Sequence, residues 1–223
     1  MSLISEKIRN ASKEDLLNPQ KLHRLILDIG FSDKRLDQHP KHLRRYCNPE
    51  GPWQNPRQLT KLLLFLSQFK IKSYLEIGVF RCGTFSIITE FLDKLYGLDY
   101  ALGIDPKEYK EQASYIDNLD NKNIEIRNWS SKDNDFLSHI EYKTFDLALI
   151  DGNHGLDGVL LDFSTVKKRT SIILFHDVCS VCEDSWERIR TKNQDNYDIY
   201  EIKDQYKRVS KPYFGFGILV KRG

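Results

Sequence analysis

The sequence predicts an α/β fold: a doubly wound, mostly parallel sheet of seven strands with an antiparallel closing strand. Three observations carry this. From Ser73 onward, apolar runs of strand length recur at about 73–78, 100–105, 123–127, 145–150 and 171–176, separated by helical or loop segments. The first run stops in a turn containing Gly78 and Gly83 and passes into a helix. The last two runs, Tyr197 to Ile202 and Gly215 to Val220, have no helix between them, which fits an antiparallel closing pair.

Residues 1–52 read as a short helical N-terminal extension or lid ahead of a main domain over 53–223. Leu22, Leu25, Ile26 and Ile29 recur at helical spacing, and a segment rich in His, Lys and Arg runs from Ser32 to Arg45. Gly51-Pro52-Trp53-Gln54-Asn55-Pro56 reads as a hinge. Asn55 can cap, and Pro56 can open, a helix reaching Phe69 whose Leu59, Leu62, Leu63 and Leu66 share one face. After the first strand, Phe85, Ile88, Leu92 and Leu95 mark a further helix that Gly97 ends.

Gly78 and Gly83 admit backbone angles, or an approach to a ligand, that a side chain would forbid. A strand, a glycine turn and a helix N-terminus make a pocket for a nucleotide-like cofactor. Ala101 to Asp105 is a second strand ending in an acid, 22 residues after Gly83. That is close to the ~20-residue offset at which a carboxylate meets ribose hydroxyls. Two vicinal hydroxyls can donate to one carboxylate, so a nucleoside-containing cofactor is expected. A nicotinamide-dependent oxidoreductase would follow G-x-G-x-x-G more closely, whereas the spacing here skips the middle glycine.

The 223 residues are 40% hydrophobic and 30% charged, enough for one domain with a sizeable core. Lys and Arg total 34 against 32 Asp and Glu, and no long basic tract stands out, which argues against nucleic acid. No Asn/Asp-Pro-Pro-Tyr/Phe motif is present, and Lys211-Pro212-Tyr213-Phe214 does not replace one. The polar N-terminus lacks the apolar core of a signal peptide, and the run Leu62 to Leu66 is too short to span a bilayer. A cytoplasmic location is expected. Cys47, Cys82, Cys179 and Cys182 do not make a disulfide scaffold, and the lone Cys179-Ser180-Val181-Cys182 lacks a second pair for zinc. Buried thiols are the expectation.

Phe145 to Ile150 and Ser171 to Phe175 are strands that each end in a polar cluster, Asp151-Gly152-Asn153-His154 and His176-Asp177. Ligands collect at the carboxyl ends of strands in open α/β sheets. Glu76, Asp105, Asp151, His154, His176 and Asp177 should therefore share one rim. Asp151, His176 and Asp177 could supply ligands to one divalent cation: oxygen donors favour magnesium, calcium or manganese, and an imidazole tilts the set toward manganese or a softer ion, so Mg2+ or Mn2+ is expected. Alternatively, the two acids orient the histidines. His154, with an ordinary pKa near neutrality, is the natural general base.

Together these motifs resemble the class I S-adenosylmethionine-dependent methyltransferases over roughly residues 54–220, and so a Rossmann-like fold. Leu75 to Thr84 looks like the family's first motif in its catechol O-methyltransferase-like form, and Gly103-Ile104-Asp105-Pro106 like the segment after its second strand. Ile150 to His154, Phe175 to Val178 and the closing Gly215 to Val220 are similar to a bacterial branch of small-molecule methyltransferases near the macrocin and cephalosporin-tailoring enzymes. The resemblance implies S-adenosylmethionine as cofactor. Glu76, Gly78 and Val79 would flank its methionine part, Gly83 and Thr84 would open the helix, Asp105 would take the ribose hydroxyls with Pro106 also at the cofactor, and Trp129 and Ser130 would lie by the adenine. Asp151 matches a magnesium-binding acid that also borders the cofactor. His176 and Asp177 stand where the catechol type has metal ligands, and His154 where it has a catalytic lysine. The activity implied is methyl transfer to a hydroxyl of a small-molecule acceptor, with Asp151 and His154 catalytic and with divalent metal assistance. No nucleic-acid or membrane partner is expected, and a homodimer is allowed. A module that binds the cofactor without catalysis is the alternative. Cys82 stands where the family commonly has glycine, and is expected to narrow the cofactor turn or lower its affinity.

Overall fold

The computed structural model describes residues 3–34, 39–49, 51–119, 123–207 and 212–223. Its strands are β1 (Ser73–Ile77), β2 (Tyr100–Ile104), β3 (Ile124–Arg127), β4 (Phe145–Ile150), β5 (Thr170–His176), β6 (Tyr197–Ile202) and β7 (Phe216–Lys221). They form one sheet in the order β3-β2-β1-β4-β5-β7-β6. Six strands run parallel, and β7 lies antiparallel between β5 and β6. The order reverses beside β1, so the carboxyl ends of β1, β2 and β4 border the crevice where such sheets bind ligands.

Alternation along the strands builds a core on each face. Tyr74, Leu147, Leu149, Ile172, Leu174 and Phe216 enter one cluster, while Leu75, Ile77, Ala148, Ile150, Ile173 and Phe175 enter the other. The first face is covered by α4 (Pro56–Leu66) and α5 (Gly83–Tyr96), with Tyr115 of α6 (Lys110–Asp117). The second is covered by α7 (Asn134–Ile140), α8 (Leu156–Val166) and α9 (Glu183–Asn193).

Local chemistry sets the element ends. Asn55 Oδ1 accepts from the N–H groups of Arg57 and Gln58 just ahead of Pro56. Gly97, at φ +68°, closes α5. Asp146 fixes the start of β1: its Oδ2 accepts from the backbone N–H of Lys72 (2.7 Å) and Ser73 (3.0 Å) and from the Ser73 hydroxyl (3.1 Å).

The N-terminal helices α1 (Leu3–Asn10), α2 (Lys13–Leu17) and α3 (Pro19–Ile29) share the main core. Ile8, Leu16, Leu22, Ile26 and Ile29 belong to the cluster that holds Leu59, Leu62 and Phe85. Arg9 also pairs with the buried Glu90 of α5, 2.6 Å from Nη2 to Oε1. The segment read as a hinge is packed instead: a Cβ at Gly83 would lie 2.9 Å from Pro52 Cα, and the Ser32 N–H donates to the Pro52 carbonyl at 2.8 Å. Among the described residues no helix is long and apolar enough to cross a membrane.

Candidate active site

A cavity of about 560 Å³ opens at the carboxyl ends of the central strands. Of the residues the sequence pointed to, Gly78, Asp105, Pro106, Trp129, Ser130, Asp151, His154, His176 and Asp177 line it. Glu76, Val79, Gly83 and Thr84 do not; they stand behind the first turn and shape it. Glu76 is buried and accepts the Tyr74 hydroxyl, and burial pushes its carboxyl well above the usual range. Thr84 Oγ1 accepts from the Gln54 amide at 3.1 Å.

The turn is tight because the chain passes directly over β4. A Cβ at Gly78, whose φ is +94°, would lie 2.3 Å from the Asp151 carbonyl oxygen. Only glycine permits that approach. Phe80 and Cys82 follow in left-handed conformations, at φ +48° and +68°. The Phe80 N–H donates to Asp105 Oδ2 at 2.8 Å, and the Lys107 N–H donates to Oδ1 at 2.9 Å. Each Asp105 oxygen is thereby oriented by one amide and keeps lone pairs for a diol.

Cys82 explains the glycine that its family resemblance predicts there, since a left-handed angle is what glycine adopts most easily. Its side chain turns into the core rather than the cavity, so the expected narrowing of the turn does not occur. Burial, with the nearby Glu76 carboxylate, pushes the thiol well above its usual pKa.

At the other end of the cavity four titratable groups converge. His176 Nδ1 lies 3.0 Å from Asp151 Oδ1 and 3.7 Å from Asp177 Oδ2. His154 Nε2 lies 3.5 Å from Asp151 Oδ1 and 3.6 Å from Asp177 Oδ2. Burial alone would raise the Asp151 carboxyl, but the His176 charge and hydrogen bonds from His154 and His176 outweigh it and hold it below 3.8. The Asp151 carboxylate draws His154 above 6.5 against the opposing effect of burial, and Asp177 adds to the rise. Asp177 ends β5 abruptly at φ +60°, its carboxylate accepting from the Ser180 hydroxyl at 3.1 Å. The Phe214 ring stacks on His176, centroids 5.4 Å apart and planes 28° apart.

This cluster fits a divalent cation. Asp151, His176 and Asp177 each offer one donor atom, all within 4.8 Å of one another. Two carboxylates and one imidazole suit manganese or magnesium. No cysteine joins the cluster among the described residues. All four cysteines are free, and burial pushes Cys179 up to about 11 and Cys182 up to about 12. Lys211, the first residue of the tetrapeptide considered against nucleic-acid methylation, lies outside the described residues.

Several residues that line the cavity or support it carried no sequence signal. Trp53, Phe80 and Tyr109 meet edge to face at its mouth, with centroids 6.2 Å and 4.9 Å apart. They sit in loops, where aromatic residues have no period to betray them. Gln58 is buried in α4, where it accepts from the Gly215 N–H at 2.9 Å and donates to the Asp204 carbonyl at 2.8 Å. It thus ties the segment leading to Phe214 onto the helix. Asp162 reaches the cavity from α8, where spacing alone shows only an acid within an amphipathic helix.

Residues 75–178 match a family model described as a methyltransferase domain. Among curated proteins, none matches the sequence. Several solved structures share the fold. The O-methyltransferase TomG from Streptomyces achromogenes, involved in tomaymycin synthesis and solved with S-adenosylmethionine, is 16% identical; 86% of this chain and 91% of that one align, at a TM-score of 0.56. An O-methyltransferase from Bacillus cereus, solved with S-adenosylhomocysteine, is 19% identical over 75% of this chain and 82% of its own, at 0.54. An rRNA methylase from Streptococcus thermophilus is 13% identical over 75% and 98%, at 0.58. At such identities the likeness is one of fold. The sequence match and the fold coincide on the strands that build the cavity: β1 to β5 carry a sequence similar to a methyltransferase domain, on a Rossmann-like methyltransferase sheet.

Proposed function

We propose that this protein transfers a methyl group from S-adenosylmethionine to a hydroxyl of a small molecule. One observation carries the reading: the cavity joins a diol-ready carboxylate, Asp105, to the Asp151, His154, His176 and Asp177 cluster along one rim. S-adenosylmethionine supplies an electrophilic methyl on a sulfonium. Asp105 takes the ribose hydroxyls, and the Gly78 turn lets the methionine part lie against β1 and β4. Pro106, Trp129 and Ser130 border the nucleoside. Most of the protein's work is to hold donor and acceptor in line.

His154 takes the acceptor proton. Its raised pKa makes it a stronger base once neutral, and its side chain is 42% exposed, open to an entering acceptor. A magnesium or manganese ion held by Asp151, His176 and Asp177 would lower the pKa of the acceptor hydroxyl. Residues 1–52 are an extension rather than a lid on this reading, with the adjoining Trp53 at the mouth beside Phe80. The nearly balanced charge of the chain supports a small acceptor over RNA.

The reading is tested by calorimetry with S-adenosylhomocysteine, and by transfer of label from methyl-tritiated S-adenosylmethionine to a panel of phenolic and sugar hydroxyls. Binding with label transfer is expected. Absence of S-adenosylhomocysteine binding would refute it.

A further inference from the structure

A second cavity, of about 320 Å³, shares no lining residue with the first. Segments far apart in sequence build it. Helix α3 brings His23, Arg24 and Leu27, and the short helix Lys41–Tyr46 brings His42, Leu43, Arg45 and Tyr46. Arg57 comes from the first turn of α4, and Tyr206 from the segment after β6. Among the described residues, three guanidiniums and two imidazoles line this cavity and no carboxylate does. Gathering like charges from separate segments works against folding, so the convergence calls for a counter-charge.

The guanidiniums are seated by neutral groups that leave their charge uncancelled. Arg45 Nη2 donates to the Tyr46 hydroxyl at 3.0 Å, and Arg57 Nη1 donates to the Gln205 carbonyl at 3.3 Å. Neither forms an ion pair among the described residues, whereas Arg24 meets Asp28 at 2.9 Å. Ring contacts add to the seating. Arg24 and Arg45 lie 5.4 Å and 4.9 Å from the Tyr46 centroid, and Arg57 lies 4.7 Å from that of Tyr206. His23 Nδ1 lies 3.0 Å from Thr60 Oγ1, whose own proton goes to the Pro56 carbonyl, so Nδ1 is the donor and Nε2 has no hydrogen-bond partner among the described residues. Burial and the Arg57 charge hold His23 below its usual pKa.

Much of the remaining lining is apolar. Leu27 and Leu43 form a small core of their own with Phe31, and Tyr46 and Tyr206 pack against it. Guanidinium forks match the several oxygens of a phosphate, and a cluster of them exceeds what one carboxylate can satisfy. The volume is larger than a phosphate ion needs and suits a small organic molecule. The chain has no long basic tract along which a nucleic-acid strand could continue.

We infer that this cavity is a second ligand site for a phosphate monoester, whose phosphate meets Arg24, Arg45 and Arg57 and whose organic part packs on Leu27 and Leu43. The site is independent of the proposed methyl transfer.

Calorimetry at low salt with phenyl phosphate, inorganic phosphate and a short single-stranded RNA, on the wild type, Arg45→Gln and Arg57→Gln, tests this. The wild type should bind phenyl phosphate about 10-fold more tightly than inorganic phosphate, because its ring leaves water. Each substitution should weaken phenyl phosphate about 10-fold, the loss of one charged hydrogen bond, and leave S-adenosylhomocysteine affinity unchanged. Arg45 is exposed and its contacts are with its neighbour Tyr46, so its replacement keeps the test open should that of Arg57 disturb the fold. In NMR titrations the His23 pKa should rise when phenyl phosphate binds. Equal affinity for inorganic phosphate would overturn the monoester and assign the site to the free ion. Tighter binding of the RNA, lost in both variants, would overturn it in favour of nucleic acid. Absence of phenyl phosphate binding to the wild type, or binding that neither substitution weakens, would overturn the site itself.

Discussion

Replacing Asp162 by Asn should stabilise the free protein at neutral pH and change it far less in acid. The folded protein buries Asp162 and so holds its proton up to about pH 6, whereas the unfolded chain releases it near the ordinary carboxylate value of 3.8. Between those values the folded state binds more protons, so stability falls as pH rises through the window. Below 3.8 both states are protonated and the group costs nothing. Above about 6 the cost is complete, and a shift of this size corresponds to about 3 kcal/mol. At pH 4.5 only about 1 kcal/mol of it has developed. Asparagine carries no ionisation, and the cost of burying its amide is the same at every pH, so it cancels from the slope. Urea melts of both proteins, without cofactor, should show the variant gaining about 2 kcal/mol on the wild type between pH 4.5 and 7.5. In thermal melts that gain is roughly 4–8 °C for a chain of this length. A difference that stays flat across the window would show that Asp162 ionises as freely as in the unfolded chain, and would refute the reasoning from its burial.

Other outcomes follow from the same geometry. Asp105→Ala should weaken S-adenosylhomocysteine binding by about 10- to 100-fold in calorimetry, the loss of one or two charged hydrogen bonds; unchanged affinity would move the ribose elsewhere. His154→Ala should cut turnover by about 100-fold or more while leaving S-adenosylhomocysteine affinity within a few-fold. In the wild type the rate should rise with pH through a value above 6.5, because the neutral imidazole is the active form and its carboxylate neighbours raise its pKa; a rising limb that persists in the variant would exclude His154 as the base. Gly78→Ala should destabilise the fold by several kcal/mol or push β4 away, since the new methyl meets the Asp151 carbonyl at 2.3 Å, and backbone cannot step aside as a side chain can; a normal melt with normal cofactor binding would contradict the turn geometry. Asp146→Ala should cost about 1–3 kcal/mol in urea melts by removing the acceptor of two amides at the start of β1.

The sheet was legible because its signals are local and periodic. Leu75 and Ile77, or Leu147 and Leu149, alternate with neighbours that enter the opposite core, and period two survives whatever the rest of the chain does. Asn55-Pro56 and Gly97 likewise mark helix ends through their own side-chain chemistry or its absence. The rim was legible for a related reason: strands end where the polar residues begin, so Asp105, Asp151 and His176 declare themselves by position. The aromatic mouth and Gln58 were not. Trp53, Phe80 and Tyr109 come from three loops, and Gln58 bonds to a residue 157 positions away. Nothing near any of them in sequence encodes that meeting. Asp162 illustrates the same limit. Its spacing on α8 is that of an ordinary polar position, and only the packing of the helix against the loop after β4 turns it into a buried acid.

Cys82 belongs to a wider pattern that gives the rim its character. The non-glycine residues in left-handed conformations, among the described residues, are Phe80, Cys82, Asp177 and Phe214. Three of them line the cavity and the fourth sits directly behind its first turn. Each such angle costs of order 1–2 kcal/mol for a residue with a side chain, so chance does not readily gather them at one edge of a sheet. Each is also held by contacts that the site itself supplies. Phe80 is fixed through Asp105 and Gln112, Cys82 through burial of its thiol, Asp177 through Ser180, and Phe214 through the Cys179 N–H and the face of His176. The strain and the polar cluster are therefore one construction. The sharp exits from β1 and β5 turn the chain aside within a residue or two, leaving the strand ends bare and bringing Asp105, Asp151 and His176 to a common opening. The conformational cost is thus concentrated at the edge of the sheet that carries the polar cluster.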